Sequence, residues 1–198
     1  MRKAVLHLKK SDPVLRGIID TVGPCRMDYR EPTFENLVRS IIYQQLHGKA
    51  AAAIFGRLAS AACPLTPASI LKLRPQKMRS LGVSPQKLTY IRDLARKTRD
   101  GEIVFESLSR CPDSEVIELL TQVKGIGEWT AHMFLLFALR RPDVLPVGDL
   151  GVRAAIKKAY GLDALPKPPE MVKLAEPWRP YASYASWYLW RSLDVETL

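Results

Sequence analysis

Apolar residues recur at helical spacing along almost the whole of this chain, and prolines cut that pattern into short pieces. Phe34, Leu37, Val38, Ile41 and Ile42 fall on one buried helix face. So do Leu88, Ile91, Leu94 and Ala95, then Val116, Leu119, Leu120 and Val123, then Val152, Ala155, Ile156 and Ala159. Prolines at 64, 67, 75, 85, 112, 142, 166, 168 and 169 separate such segments, because proline starts helices but cannot continue them. Alternation of period two is almost absent, and Ile103 to Phe105 is too short to argue a sheet. The expected fold class is all-α, built from many short helices without internal repeats or long linkers. A length of 198 residues suits one domain, or two small lobes sharing a core.

Charge narrows the partners. Thirty Lys and Arg against twenty Asp and Glu give a net charge of +10 and a sequence pI near 9.7. Such a surplus attracts polyanions, of which nucleic acid is the commonest, although a solvated basic surface would look the same. No apolar run reaches the roughly 18 residues that a membrane span needs. The start, MRKAVLHLKK, is basic, but His7 and Lys9 interrupt its apolar stretch and make a poor secretory signal. Cys25, Cys63 and Cys111 are scattered and odd in number, which suggests free thiols in a reducing compartment. The expected location is cytoplasmic: nucleoid-associated in a bacterium, nuclear in a eukaryote.

The segment Leu119 to Leu139, LLTQVKGIGEWTAHMFLLFAL, is the most informative. An amphipathic helix should run to about Val123, break at Lys124-Gly125-Ile126-Gly127-Glu128, and resume as an apolar helix near Trp129. Two glycines around one apolar residue allow positive φ and leave backbone amides uncovered. Those amides, at a helix start, make a concave positive site that fits a phosphate oxygen. Ile126 would tuck inward. Read alone, the segment is a plain helical hairpin whose Gly-x-Gly only stops a helix.

The stretch VKGIGEWTA resembles the hairpin of the helix-hairpin-helix motif, and LPVGDLGVRAAI follows it with Asp149 opening another helix. Hairpin, apolar helix, loop and helix-initial Asp together resemble the helix-hairpin-helix/Gly-Pro-Asp DNA glycosylase superfamily. IIYQQLHGKAA at 41–51 and EPWRPYASYASWYLW at 176–190 resemble its DNA-3-methyladenine glycosylase II group, in the expected order. The resemblance covers about Phe34 to Trp190. It implies a two-lobed all-α fold with a central DNA-binding cleft, one lobe spanning about 34–139 and the other 1–33 plus 140–198. It also implies a short form without the mixed α/β domain that precedes the helical core of larger members.

Asp149 alone reads as an N-cap worth about 1 kcal/mol. The resemblance implies more: a carboxylate, kept ionised by the helix terminus, that stabilises oxocarbenium character on the deoxyribose and orients the attacking water. Asp143 in the preceding loop is the nearby competitor. The implied substrates are alkylated purines in double-stranded DNA (3-methyladenine and 7-methylguanine, with 1,N6-ethenoadenine open), released by hydrolysis after base flipping. Trp129 stands where lyase members place a Schiff-base Lys, so the expected enzyme is monofunctional. The alternative is a catalytically silent helix-hairpin-helix protein that binds damaged or bent DNA.

The resemblance assigns the remaining sites. Trp129 and Trp187 would line the base pocket, with Tyr43 a weaker candidate; core packing is the competing fate of each. Gln45 would fill the hole left by the extruded base, with Leu46 and His47 beside it in the minor groove. Gly125 and Gly127 amides, the Thr130 hydroxyl and Lys124 would hold phosphate. Backbone carbonyls of Thr121, Val123 and Gly125 would hold a structural Na+ or K+. No other cofactor is expected, since three dispersed cysteines cannot supply a four-cysteine iron–sulfur cluster. A monomer acting on DNA, without membrane contact, is expected.

Overall fold

Proline sets five of the helix starts. Pro13, Pro67, Pro75, Pro85 and Pro168 each occupy the first turn of a helix, where the missing N–H costs nothing. The structure, a computed structural model, describes residues 1–194. In chain order the first helices are α1 (Arg2–Ser11), α2 (Pro13–Val22), α3 (Phe34–Tyr43) and α4 (Gly48–Ala61). Then follow α5 (Pro67–Lys72), α6 (Pro75–Ser80), α7 (Pro85–Arg99), α8 (Phe105–Leu108) and α9 (Asp113–Thr121). The last are α10 (Glu128–Phe137), α11 (Leu150–Tyr160), α12 (Pro168–Leu174), a 3-10 turn at Glu176–Trp178, and α13 (Ala182–Ser192). No strand occurs among the described residues, and Ile103 to Phe105 runs from a turn into α8. The fold is all-α. No described helix is long and apolar enough to cross a membrane.

The chain divides into two compact units, one of residues 1–29 and 135–198 and the other of 30–134. The second division, between residues 134 and 135, falls inside α10.

In the 30–134 unit, α7 packs against α3, α5 and α6, and α3 also packs on α4. The faces of α3 and α7 that the periodicity marked are buried at Leu37, Val38, Ile41, Ile42, Ile91, Leu94 and Ala95. Phe105 makes edge-to-face contacts with Phe34 and Phe134, joining α3, α8 and α10.

In the other unit, α13 packs against α2 and α11, and α1 lies on α2. Its polar anchor is the buried Asp12. That carboxylate caps α2 by accepting from the Val14 and Leu15 amides at 2.9 and 3.0 Å. It also accepts from Tyr160 Oη at 2.5 Å and Trp178 Nε1 at 2.9 Å, so four donors offset its desolvation. No disulfide joins the cysteines. Burial pushes the Cys25 thiol up to about 11, which makes it an inert core residue.

Candidate nucleic-acid interface and buried carboxylate

The hairpin forms between α9 and α10, closing over residues 122–127. Only one of its glycines is conformationally required. Gly125 has φ +78°, and a Cβ there would lie 2.0 Å from the Tyr90 ring; Gly127 has neither constraint. Ile126 is buried, and its amide donates to the Val123 carbonyl at 3.0 Å, which tightens the turn. From α7 the buried Asp93 accepts the Lys124 amide at 3.0 Å, so the hairpin is tied down by a neighbouring helix. Among the described residues the Gly125 and Gly127 amides donate to no protein acceptor. Both residues are exposed, as is Lys124, while Thr130 is buried one turn into α10. Thr121 lies exposed at the end of α9.

A cleft of roughly 570 Å³ runs beside this hairpin, within the 30–134 unit. Its walls bring together Tyr43, Gln45, Gly125, Trp129 and Thr130, all singled out from sequence, with Lys87 and Tyr90, which were not. Trp129 is 48% exposed, unusual for an indole, and offers its surface to the cleft. The Tyr43 ring lies under the Arg39 guanidinium, 3.9 Å from its centroid, so one of its faces is already used.

Gln45 lies beyond the end of α3, with φ +56°. A non-glycine residue in that region is strained, and such strain persists only where surrounding contacts fix it. Those contacts are present. Lys87 Nζ donates to the carbonyls of Ile42 and Gln44, each at 2.7 Å, placing a cation on the carbonyl end of α3. Burial holds its ammonium below the usual lysine range. Gln44 Nε2 donates to the Gly125 carbonyl at 2.9 Å, which links the turn directly to the hairpin. Leu46 is 39% exposed, and His47 is exposed at the start of α4. Gly48 is the first residue of α4.

Asp149 lies in the other unit. Its side chain caps α11, accepting the Val152 amide at 2.7 Å, and the residue is only 7% exposed. Trp190 Nε1 donates to the same oxygen, Oδ1, at 2.8 Å. The loop before Asp149 is fastened to α13: Ser183 Oγ donates to the Arg141 carbonyl and accepts the Val144 amide. Asp143 is occupied in the same fastening. It pairs with Arg179 at 2.8 Å and accepts the Ala182 amide at 3.1 Å, which makes it a structural residue.

Trp187 is 6% exposed. Its ring packs edge-to-face on Tyr188 at 5.0 Å, with the Arg191 guanidinium 5.6 Å from its centroid. The indole that touches Asp149 is therefore Trp190, one helical turn further along α13.

Comparison with known proteins bears on both units. Residues 38–180 match the model of the HhH-GPD superfamily base excision DNA repair proteins. DNA-3-methyladenine glycosylase 1 of Schizosaccharomyces pombe is 37% identical over 97% of this chain and 87% of its own length. A solved 3-methyladenine DNA glycosylase from the same yeast, in complex with abasic DNA, superposes with a TM-score of 0.85 at 36% identity over 98% of each chain. A solved DNA-3-methyladenine glycosidase of Bacillus halodurans gives 0.87 at 35% identity, over 96% of this chain and 88% of the other.

Proposed function

The chain belongs to the HhH-GPD superfamily of base excision DNA repair proteins, and from that premise we propose that it is a monofunctional DNA glycosylase releasing alkylated purines from duplex DNA. The observation that carries the reading is Asp149: a buried carboxylate at a helix N-terminus, oriented by two N–H donors. Cleavage of the N-glycosidic bond leaves the bonding pair on the departing purine and positive charge on the deoxyribose. A carboxylate beside C1′ stabilises that charge and takes a proton from the water whose oxygen forms the new bond to C1′. Purines alkylated at N3 or N7 already carry positive charge and depart as neutral bases, so no acid is needed. One carboxylate suffices.

Relatives named for 3-methyladenine support placing this chain in the glycosylase II group, with 3-methyladenine and 7-methylguanine as substrates. Trp129 supplies the exposed aromatic surface for an electron-poor base, while the packing of Trp187 favours a supporting role. Having no amine, Trp129 also supports hydrolysis without strand cleavage. In the same proposal Gln45 is the plug, with Leu46 and His47 beside it, and the Gly125 and Gly127 amides meet phosphate together with Lys124 and Thr130. A monovalent cation held by the Thr121, Val123 and Gly125 carbonyls would share the last of these with Gln44.

The test uses duplexes with a single alkylated purine. Wild-type protein is expected to yield abasic sites that break only after alkali. Damage-specific binding with no abasic site would overturn the enzyme reading in favour of a silent binder, and breakage without alkali would overturn the monofunctional one.

A further inference from the structure

Around Asp149 the structure holds an arrangement that the cap alone does not require. Trp190 reaches from α13 to place its indole N–H 2.8 Å from Oδ1. Behind it the Phe137 ring stacks on the indole at 5.9 Å and 26°, which limits how the indole can turn. A Cβ built on Gly151 would lie 3.0 Å from Trp190 Cδ1, 3.2 Å from Nε1 and 3.1 Å from Asp149 Oδ1. Gly151 is inside α11, where glycine weakens a helix relative to alanine, and its φ is not positive. Backbone conformation therefore gives no reason for glycine there. Space for the Trp190–Asp149 bond does.

We infer that Trp190 is a positioning residue for Asp149, and that Gly151 is the small residue that lets the indole reach it. The inference rests on the reading of Asp149 as the catalytic carboxylate. The Val152 amide and the Trp190 N–H both donate to Oδ1, so backbone and side chain hold the same carboxylate oxygen. Two donors from different directions also fix the rotation of the carboxylate about its Cβ–Cγ bond. A hydrogen bond to an ionised group in a site shielded from water is among the stronger ones, and its loss should appear in the chemical step.

Two variants test this in the full chain, with Asp149→Asn beside them. Trp190→Phe keeps the aromatic stack and removes only the N–H. Gly151→Ala keeps the indole but pushes it away. Both are expected to lower the single-turnover rate of 7-methylguanine release on the order of tenfold, with affinity for abasic duplex unchanged. The melting temperature of Gly151→Ala, recorded alongside, separates lost positioning from lost packing, since its Cβ crowds the stacked indole. Wild-type release by both variants while Asp149→Asn is inactive would overturn the positioning role alone. Wild-type release by Asp149→Asn would overturn the reading beneath it. A fall in affinity or melting temperature that accounts for the whole rate loss would assign the indole to packing instead.

Discussion

At Gly125 a backbone φ of +78° coincides with a Tyr90 ring lying where a side chain would start. Either constraint alone would disfavour alanine; together they leave it no relaxed conformation, because ring and turn would both have to move. Gly125→Ala should therefore lower the melting temperature by at least several degrees and weaken binding to abasic duplex. Gly127→Ala, with open space around its Cβ and no positive φ, should leave the melting temperature unchanged. Equal melting of the two would show that the hairpin tolerates a side chain at either position. The difference between these glycines is invisible in the sequence, where Gly-Ile-Gly looks symmetrical. So is the pairing of Trp190 with Asp149: α13 carries two tryptophans, Trp187 and Trp190, and the rotation of that helix about its axis decides which reaches the carboxylate.

Helix α7 is the element whose role was least legible. Its apolar face was evident from Ile91, Leu94 and Ala95, but nothing in the pattern singled out Lys87 or Asp93. In the fold they are braces. Lys87 fastens the α3 turn that presents Gln45, and Asp93 fastens the hairpin amide of Lys124, so one helix sets the spacing of both. A polar residue that satisfies a distant backbone group leaves no periodic trace, since its partner lies far away in sequence. Lys87→Met preserves the aliphatic stem but removes the donors. It should slow base flipping, followed by the fluorescence of a 2-aminopurine beside the lesion, on the order of tenfold. Unchanged flipping kinetics would mean that the Gln44–Gly125 bond holds the turn unaided.

Across the molecule, what sequence conveyed well was whatever repeats or punctuates: the all-α class, the proline-started helices, the hairpin and the capping aspartate. The N-terminal helices α1 and α2 were less legible. Their anchor is Asp12 receiving Tyr160 and Trp178 across nearly the whole chain length, a contact that no local pattern announces. The +10 charge pointed toward nucleic acid without saying where it would bind; under the proposed function the hairpin is the surface it would serve. At Asp149 the observed capping role and the proposed chemical role separate cleanly. Asparagine caps as well as aspartate but carries no negative charge. The decisive measurement is single-turnover release of 7-methylguanine from duplex DNA by Asp149→Asn at enzyme excess, with melting temperature and abasic-duplex affinity recorded alongside. The expected result is a loss of at least about a hundredfold with folding and affinity retained; release at the wild-type rate would contradict a catalytic role for Asp149.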